Sequence, residues 1–289
     1  MKTALIMEGG AMRGMFTCGV MDVLMENNIT FDGGAGISAG AVFGCNYKSH
    51  QPGRPLRYNL KYGRDPRFAS VRSLLKTGDF YGADFCYREL PDVLDVFDRD
   101  AFSRDPMEFY VGATDIMTGE AVFHKCTDGG EEDIQWMRAS ASMPLVSRIV
   151  EIGDYQLLDG GIACSVPYAY MESLGYNRNV IILTQPLDYV KKKSAAIPLI
   201  RMTMRKYPAV IKAMEKRHEV YNEETAEVRR KELAGEAIVI RPPESLHISR
   251  TENDPKELVR VYRTGRKAAL QKLDEIRAFL GKDSDDDTH

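Results

Sequence analysis

Residues 3–7 (TALIM) form an apolar run with no polar alternation. That is the pattern of a strand buried on both faces of a parallel sheet. A glycine-rich turn follows at 9–14. Residues 15–26 are then apolar nearly all round and predict a helix that stops at Asn27-Asn28. The same order returns at once: residues 33–37 predict a second short strand, and a helix of small residues starts at Ala39. Strand, tight turn and helix, twice within the first fifty residues, predict an α/β fold with a parallel sheet.

The pattern loosens from 51 to 102, where proline, arginine and aromatic residues scatter around one helical piece near 90–97. This segment reads as an insertion that forms a lid or faces a substrate. Periodicity returns with strands at 108–114 and 121–125, a short helix at 133–140 and a hairpin of 149–152 and 155–158 around Gly153-Asp154. A helix at 166–174 and a buried strand at 179–184 follow. The final hundred residues are mostly helical, with a late strand at 237–240 and long helical periodicity over 255–280. The expected organisation is one domain over 1–280, with a motif-bearing core at 1–190 and a mainly helical part at 191–280. The closing charge run makes 281–289 an acidic disordered tail.

Composition narrows the function classes. The 289 residues are 44% hydrophobic and 28% charged, ordinary for a soluble globular protein. The length is sufficient for a core that shelters a site. A net charge of −3 offers no general attraction to nucleic acid, and no such partner is expected. The five cysteines, Cys18, Cys45, Cys86, Cys126 and Cys164, show no paired ligand spacing. Free thiols in a reducing compartment are the expectation. The N-terminal apolar run is too short for a signal peptide, and no stretch approaches the roughly 18 apolar residues of a membrane span. A cytoplasmic protein follows, with peripheral membrane contact left open.

Three short pieces carry chemistry. Gly36-Ile37-Ser38-Ala39-Gly40 matches G-x-S-x-G and lies between a predicted strand and a predicted helix, the context of a nucleophile elbow. Flanking glycines let neighbouring backbone approach a strained serine, and the helix start brings amide N–H groups near developing negative charge. The turn Gly9-Gly10-Ala11-Met12-Arg13-Gly14 also follows a strand and opens a helix. Its small residues aim backbone N–H groups at one point, making a nest for a tetrahedral oxyanion or for a nucleotide phosphate. The nucleotide pattern G-x-G-x-x-G lacks its middle glycine at Ala11. Arg13 either closes the loop on nearby carbonyls or is a plain surface helix residue. Asp159-Gly160-Gly161 alone reads as a turn. The apolar Leu157 and Leu158 before it poise the carboxylate at a strand end, where burial raises its pKa and makes it a better base.

In this order the three pieces resemble the patatin-like phospholipase family, whose members carry GGGxRG, GxSxG and DGG or DGA. Ala113-Thr114-Asp115 with Thr118-Gly119, and residues 139–144 (ASASMP), are similar to that family as well. The good motifs span about 1–190, while 64–97 and the C-terminal part resemble its bacterial cytoplasmic branch. The resemblance implies a patatin-like three-layer sandwich, with a mostly parallel central sheet and helices on both faces. It implies a lipid acyl hydrolase of the phospholipase A type, with Ser38 as nucleophile and Asp159 as base in a Ser–Asp dyad. Backbone N–H groups of Gly9, Gly10 and Ala11 would then form the oxyanion hole, supported by Arg13, Gly14, Gly36, Gly40, Gly160 and Gly161. The implied substrate is a lipid or other ester, with neither metal nor organic cofactor. The third glycine of the loop is Ala11 here. A positive φ at that position would cost about 1–2 kcal/mol, a negative one little.

Three alternatives stand beside this reading. A Ser–Asp–His triad needs a histidine after Asp159, and His218 and His247 both follow it. Against the triad, the elbow follows only the second strand. His50 and His124 precede Asp159 and read as surface or packing residues. A catalytically inactive lipid-binding or regulatory relative is the second alternative, against which both Ser38 and Asp159 are intact. A nucleotide-binding protein is the third. Separately, residues 191–217 hold nine basic side chains against one acid, Glu215, with apolar residues between them. Such a basic helix either lies on an anionic bilayer or packs its apolar face on the sheet.

Overall fold

A computed structural model describes residues 1–281. The acidic tail expected at 281–289 falls, beyond Gly281, outside the described residues. The chain opens with Lys2–Met7 (β1), Gly14–Glu26 (α1), Gly33–Ile37 (β2) and Ala39–Lys48 (α2). Arg54–Tyr62 (α3), Val71–Thr77 (α4) and Arg99–Arg104 (α5) follow, with a π-helical stretch at Phe85–Leu94 between the last two. Next come Glu108–Asp115 (β3), Ala121–Cys126 (β4), Glu131–Ser140 (α6), Val150–Ile152 (β5) and Tyr155–Asp159 (β6). The remainder is Tyr168–Ser173 (α7), Tyr176–Ile182 (β7), Ile197–Thr203 (α8), Pro208–Leu233 (α9), Ala237–Ile240 (β8) and Pro255–Leu280 (α10).

The sheet runs β5-β6-β3-β2-β1-β7-β8, with β4 on the other edge of β3. The five strands β3, β2, β1, β7 and β8 are mutually parallel, and β4 and β6 run antiparallel to β3. Alternate residues of β1 serve opposite layers, which is why its apolar run has no polar gaps. Leu5 and Met7 pack with α1, α2 and α10, while Ala4 and Ile6 pack with α7 and α9. The result is three layers, helices on both faces of a mostly parallel sheet.

Three expectations shift. The helical piece near 90–97 lies earlier, at Phe85–Leu94, where the wide π turns contain Pro91. A proline has no amide to donate and breaks the regular α ladder. Strand 179–184 ends at Ile182; the Leu183 amide still donates to the Ile240 carbonyl at 2.9 Å, and Thr184 turns to the site. Residues 191–217 are not one helix: α8 stops after Thr203, and α9 starts at Pro208. Ile197, Ile200, Val210 and Met214 from this region pack inward against Leu158 and Ile162. Among the described residues, no helix is long and apolar enough to cross a membrane.

Candidate active site

β2 carries Ile37 to the carboxyl end of the sheet, and the chain turns into α2 at Ser38, which has φ 54° and ψ −120°. A non-glycine residue in that region stores about 1–3 kcal/mol of strain. The turn is tight enough to dictate its neighbours. A methyl group on Gly36 would stand 2.3 Å from the Gly40 carbonyl oxygen, and one on Gly40 would stand 2.3 Å from the Met7 carbonyl oxygen. Both glycines are therefore steric requirements of the elbow. The Ser38 amide donates to Ser140 Oγ at 2.8 Å, and the Ser140 hydroxyl donates to the Gly112 carbonyl at 2.6 Å.

Asp159 reaches Ser38 through strand register. Along β3, β4 takes one edge while β2 and then β6 share the other. β2 ends with Ile37 opposite Gly112, and antiparallel β6 ends with Asp159 opposite the next residue, Ala113. Two strand ends thus meet head on, and the residues just at their tips are Ser38 and Asp159. Asp159 is 2% exposed. Its Oδ1 accepts from the Gly161 amide at 2.8 Å, and Ser38 is among the groups that favour its charged form. Burial pushes this carboxyl above the ordinary aspartate range; Arg217, Ser38, the Gly161 amide and Lys191 oppose that without cancelling it. Thr114 Oγ1 donates to the Asp159 carbonyl at 2.9 Å and accepts from the Ala163 amide at 3.3 Å, fixing the turn after the carboxylate.

The glycine-rich loop passes directly over the elbow. A methyl group on Gly9 would lie 2.9 Å from Ser38 Cβ. Ala11 has φ 50°, so the alanine occupies a left-handed conformation. Among the described residues, neither the Gly9 nor the Gly10 amide donates to a backbone acceptor. Among the described residues Arg13 does not close the loop on a carbonyl: its Nε reaches Thr184 Oγ1 at 3.4 Å. The Thr184 hydroxyl makes that closure instead, donating to the Gly9 carbonyl at 3.3 Å. Behind the loop, buried Glu8 accepts from the Thr184 amide at 2.5 Å and from the Tyr221 hydroxyl at 2.9 Å.

Ser38 and Asp159 open into a cavity of about 630 Å³, a size typical of small-molecule sites. Gly9, Gly10, Ala11, Arg13 and Gly161 line it too, whereas Gly14, Gly36, Gly40 and Gly160 shape the backbone from behind. Tyr58, Phe68, Phe80, Tyr87 and Leu90 give it an apolar wall. The segment at 51–102 therefore does face the cavity. Arg217, from the basic segment, turns inward and donates from Nε to the Gly161 carbonyl. Burial holds its pKa below the usual arginine value.

The histidines sit elsewhere or with other partners. His218 lines the cavity, yet its Nε2 lies 3.7 Å from Glu219, and among the described residues its Nδ1 has no hydrogen-bond partner. His50 pairs with Asp105 and His124 with Asp133. Among the described residues, no histidine hydrogen-bonds Ser38 or Asp159. Three potential metal donors, His124, Cys126 and Asp133, lie within 4.8 Å of one another, outside the cavity lining. Both Asp133 oxygens are already engaged there, one by His124 and one by the amides of Thr127, Asp128 and Gly129. All five cysteines are free thiols.

Sequence reasoning assigned no role to Ser140, Glu8, Thr184 or Tyr221. Ser140 lies within ASASMP, a stretch already similar to the family, so that signal was present. The other three are single residues with no local pattern.

A model described as patatin-like phospholipase matches residues 5–171, and a domain of unknown function (DUF6363) matches 207–281. The chain is 26% identical over 199 residues to the uncharacterized protein YjjU of Escherichia coli (strain K12), covering 64% of this chain and 52% of YjjU. It is 26% identical over 178 residues to lysophospholipase NTE1 of Chaetomium globosum, covering 60% of this chain and 11% of that protein. The chain thus spans about half the length of YjjU and about a tenth of NTE1. The solved structure of VipD from Legionella pneumophila aligns over 95% of this chain and 67% of its own, with a TM-score of 0.47 and 11% identity. The match at 5–171 takes in the glycine-rich loop, the elbow and Asp159 with its two glycines, and the chain belongs to the patatin-like phospholipase family.

Proposed function

We propose that this chain is a serine acyl hydrolase acting on lipid esters through a Ser38–Asp159 dyad. One observation carries the reading: register sets a strained Ser38 and a buried Asp159 at two strand ends that meet head on, both lining one largely apolar cavity. Asp159 accepts the hydroxyl proton as Ser38 Oγ attacks the ester carbonyl. The oxyanion rests on backbone N–H groups of Gly9, Gly10 and Ala11, each such donor being worth about 3 kcal/mol. Asp159 then returns the proton to the leaving alcohol as the acyl-enzyme forms. Water, deprotonated by the same carboxylate, releases the fatty acid and restores Ser38.

Residues 1–280 act in this reading as one folding unit, because β8 extends the sheet and α10 covers α1. The enzyme would work in the cytoplasm, in peripheral contact with anionic membranes. Support for the contact comes from Leu187, Val190, Leu199 and Met202, all exposed among Lys192, Lys193, Arg201, Arg205 and Lys206 beside the cavity. Apolar side chains among cations suit a lipid interface. A fluorophosphonate ester tests the nucleophile directly: Ser38 Oγ displaces fluoride and the proton leaves with it. We expect one phosphonyl adduct, mapped by mass spectrometry to Ser38 and absent in Ser38→Ala; an adduct elsewhere or none would reject the assignment.

A further inference from the structure

The three motif pieces of the site lie within 5–171, yet part of what holds them comes from α9, in the stretch that matches DUF6363. Arg217, Tyr221 and Glu224 are spaced four and three residues apart, which sets them on one face of that helix. Met214 and Val228 continue the same face and are buried. Each of the three polar residues takes hold of a different piece of the site. The Tyr221 hydroxyl donates at 2.9 Å to Glu8, the residue before the glycine-rich loop. Glu224 accepts from the Ser165 and Val166 amides at 3.0 and 3.2 Å. Arg217 donates from Nε to the Gly161 carbonyl.

Gly161 links Arg217 to Asp159. Its amide donates to Asp159 Oδ1 at 2.8 Å while its carbonyl accepts from Arg217. A methyl group on Gly161 would stand 3.0 Å from Asp159 Oδ1 and 3.3 Å from Arg217 Nη2. The two charged groups therefore lie within roughly 6 Å of each other, a range over which an opposite charge moves a carboxyl pKa by about 1–3. Burial raises the Asp159 pKa, and Arg217 is the foremost influence that lowers it. Other groups face the pair from neighbouring elements. Lys191, from the loop before α8, also favours the charged carboxylate. Arg13 beside the glycine-rich loop, Arg250 before α10 and Tyr189 act on Arg217, and Glu8 and Glu224 act on Lys191.

We propose that Arg217 is a positioning residue for the base: reaching in from the DUF6363 stretch, it holds the Asp159 turn and supplies the positive charge that keeps the carboxylate ready to accept a proton. The inference rests on the hydrolase reading for the role of Asp159. A carbon-13 NMR titration of the full chain, labelled at the aspartate carboxyls, tests it, with Asp159→Asn identifying the Asp159 signal. Arg217→Gln removes the charge and keeps an amide donor for the Gly161 carbonyl; Arg217→Met is the second neutral variant, used where the first does not fold. Removing the cation disfavours the ionised carboxylate, so Asp159 should titrate at least about one pH unit higher in the neutral variants. Arg217→Lys keeps the charge and should stay within about half a pH unit of wild type. On a soluble nitrophenyl ester, the acid limb of kcat/KM should move up in step, a loss of about tenfold at a given pH on that limb. An Asp159 titration that does not move in a folded neutral variant would overturn the proposal, and wild-type esterase activity beside it would leave the hydrolase reading standing. A shift as large in Arg217→Lys, or one produced by Lys191→Met alone, would overturn it too. The expected shift in a chain whose wild type cleaves no ester would keep Arg217 as the partner of Asp159 and sink the hydrolase reading instead.

Discussion

The Ser38 amide donates to the Ser140 hydroxyl at 2.8 Å, and Ser140 passes a hydrogen bond on to the Gly112 carbonyl at 2.6 Å. One buried hydroxyl at the end of α6 therefore fixes the spacing between the elbow and β3. Ser140→Ala leaves a buried amide and a buried carbonyl without partners, at a cost of about 1–3 kcal/mol. Thermal unfolding should register that loss. Misplacing a nucleophile lowers kcat more than it raises KM, and we expect a fall of at least about tenfold. A variant with unchanged stability and turnover would show that the tie is dispensable.

Ala11 sits at φ 50°. Alanine costs about 1–2 kcal/mol in that conformation, and the extra freedom of an unfolded glycine takes back about 0.4–1 kcal/mol. Ala11→Gly should therefore stabilise the protein by up to about 1.6 kcal/mol in urea unfolding, with ester hydrolysis retained. A clear loss of stability would mean that the Ala11 methyl packs better than it strains.

Burial pushes the Glu224 carboxyl up from 4.5 to about 7, against hydrogen bonds from the Ser165 and Val166 amides. A carboxyl raised by folding contributes stability that is full below its unfolded pKa and lost as pH rises through its folded pKa. The window here runs from 4.5 to about 7. Lys191, lowered to about 7 by burial, Arg217 and Arg13, acts above that window with the opposite slope. Between pH 5 and 7 the Tm of the wild type should fall relative to that of Glu224→Gln. A Tm difference that stays flat across this interval would mean that Glu224 is ionised throughout.

Leu199 is 46% exposed and Met202 68% exposed on α8, beside Arg201 and Arg205. Replacing both apolar residues with aspartate removes buried area and adds repulsion from anionic lipid. Sedimentation with anionic vesicles at low salt should show at least about a fivefold loss of binding, with turnover of a soluble ester as the folding control. Equal sedimentation of variant and wild type would assign the membrane contact to another surface.

Much of this architecture is visible in the residues themselves. The stretches 4–7 of β1 and 180–182 of β7 are apolar runs because both faces are covered there, and α1 is apolar nearly all round because it lies between the sheet and α10. The three motif pieces mark the site, but no local pattern says that Ser38 meets Asp159. That follows from Gly112 and Ala113 being consecutive on β3. The segment at 51–102 is the least legible. α4 buries no residue and so has no amphipathic stripe, and Pro91 lies inside its helix rather than ending it. The basic segment is legible only in part. Arg217 is drawn inward by a carbonyl 56 residues earlier in the chain, a partner that spacing cannot reveal.

The central claim is that Ser38 and Asp159 act as a pair. Its most direct test is hydrolysis of a nitrophenyl acyl ester by wild type, Ser38→Ala and Asp159→Asn, each checked for folding by circular dichroism. The account predicts that both variants stay folded and that each loses at least about a thousandfold in kcat/KM. A folded Asp159→Asn enzyme that kept more than about a tenth of wild-type kcat/KM would contradict the dyad.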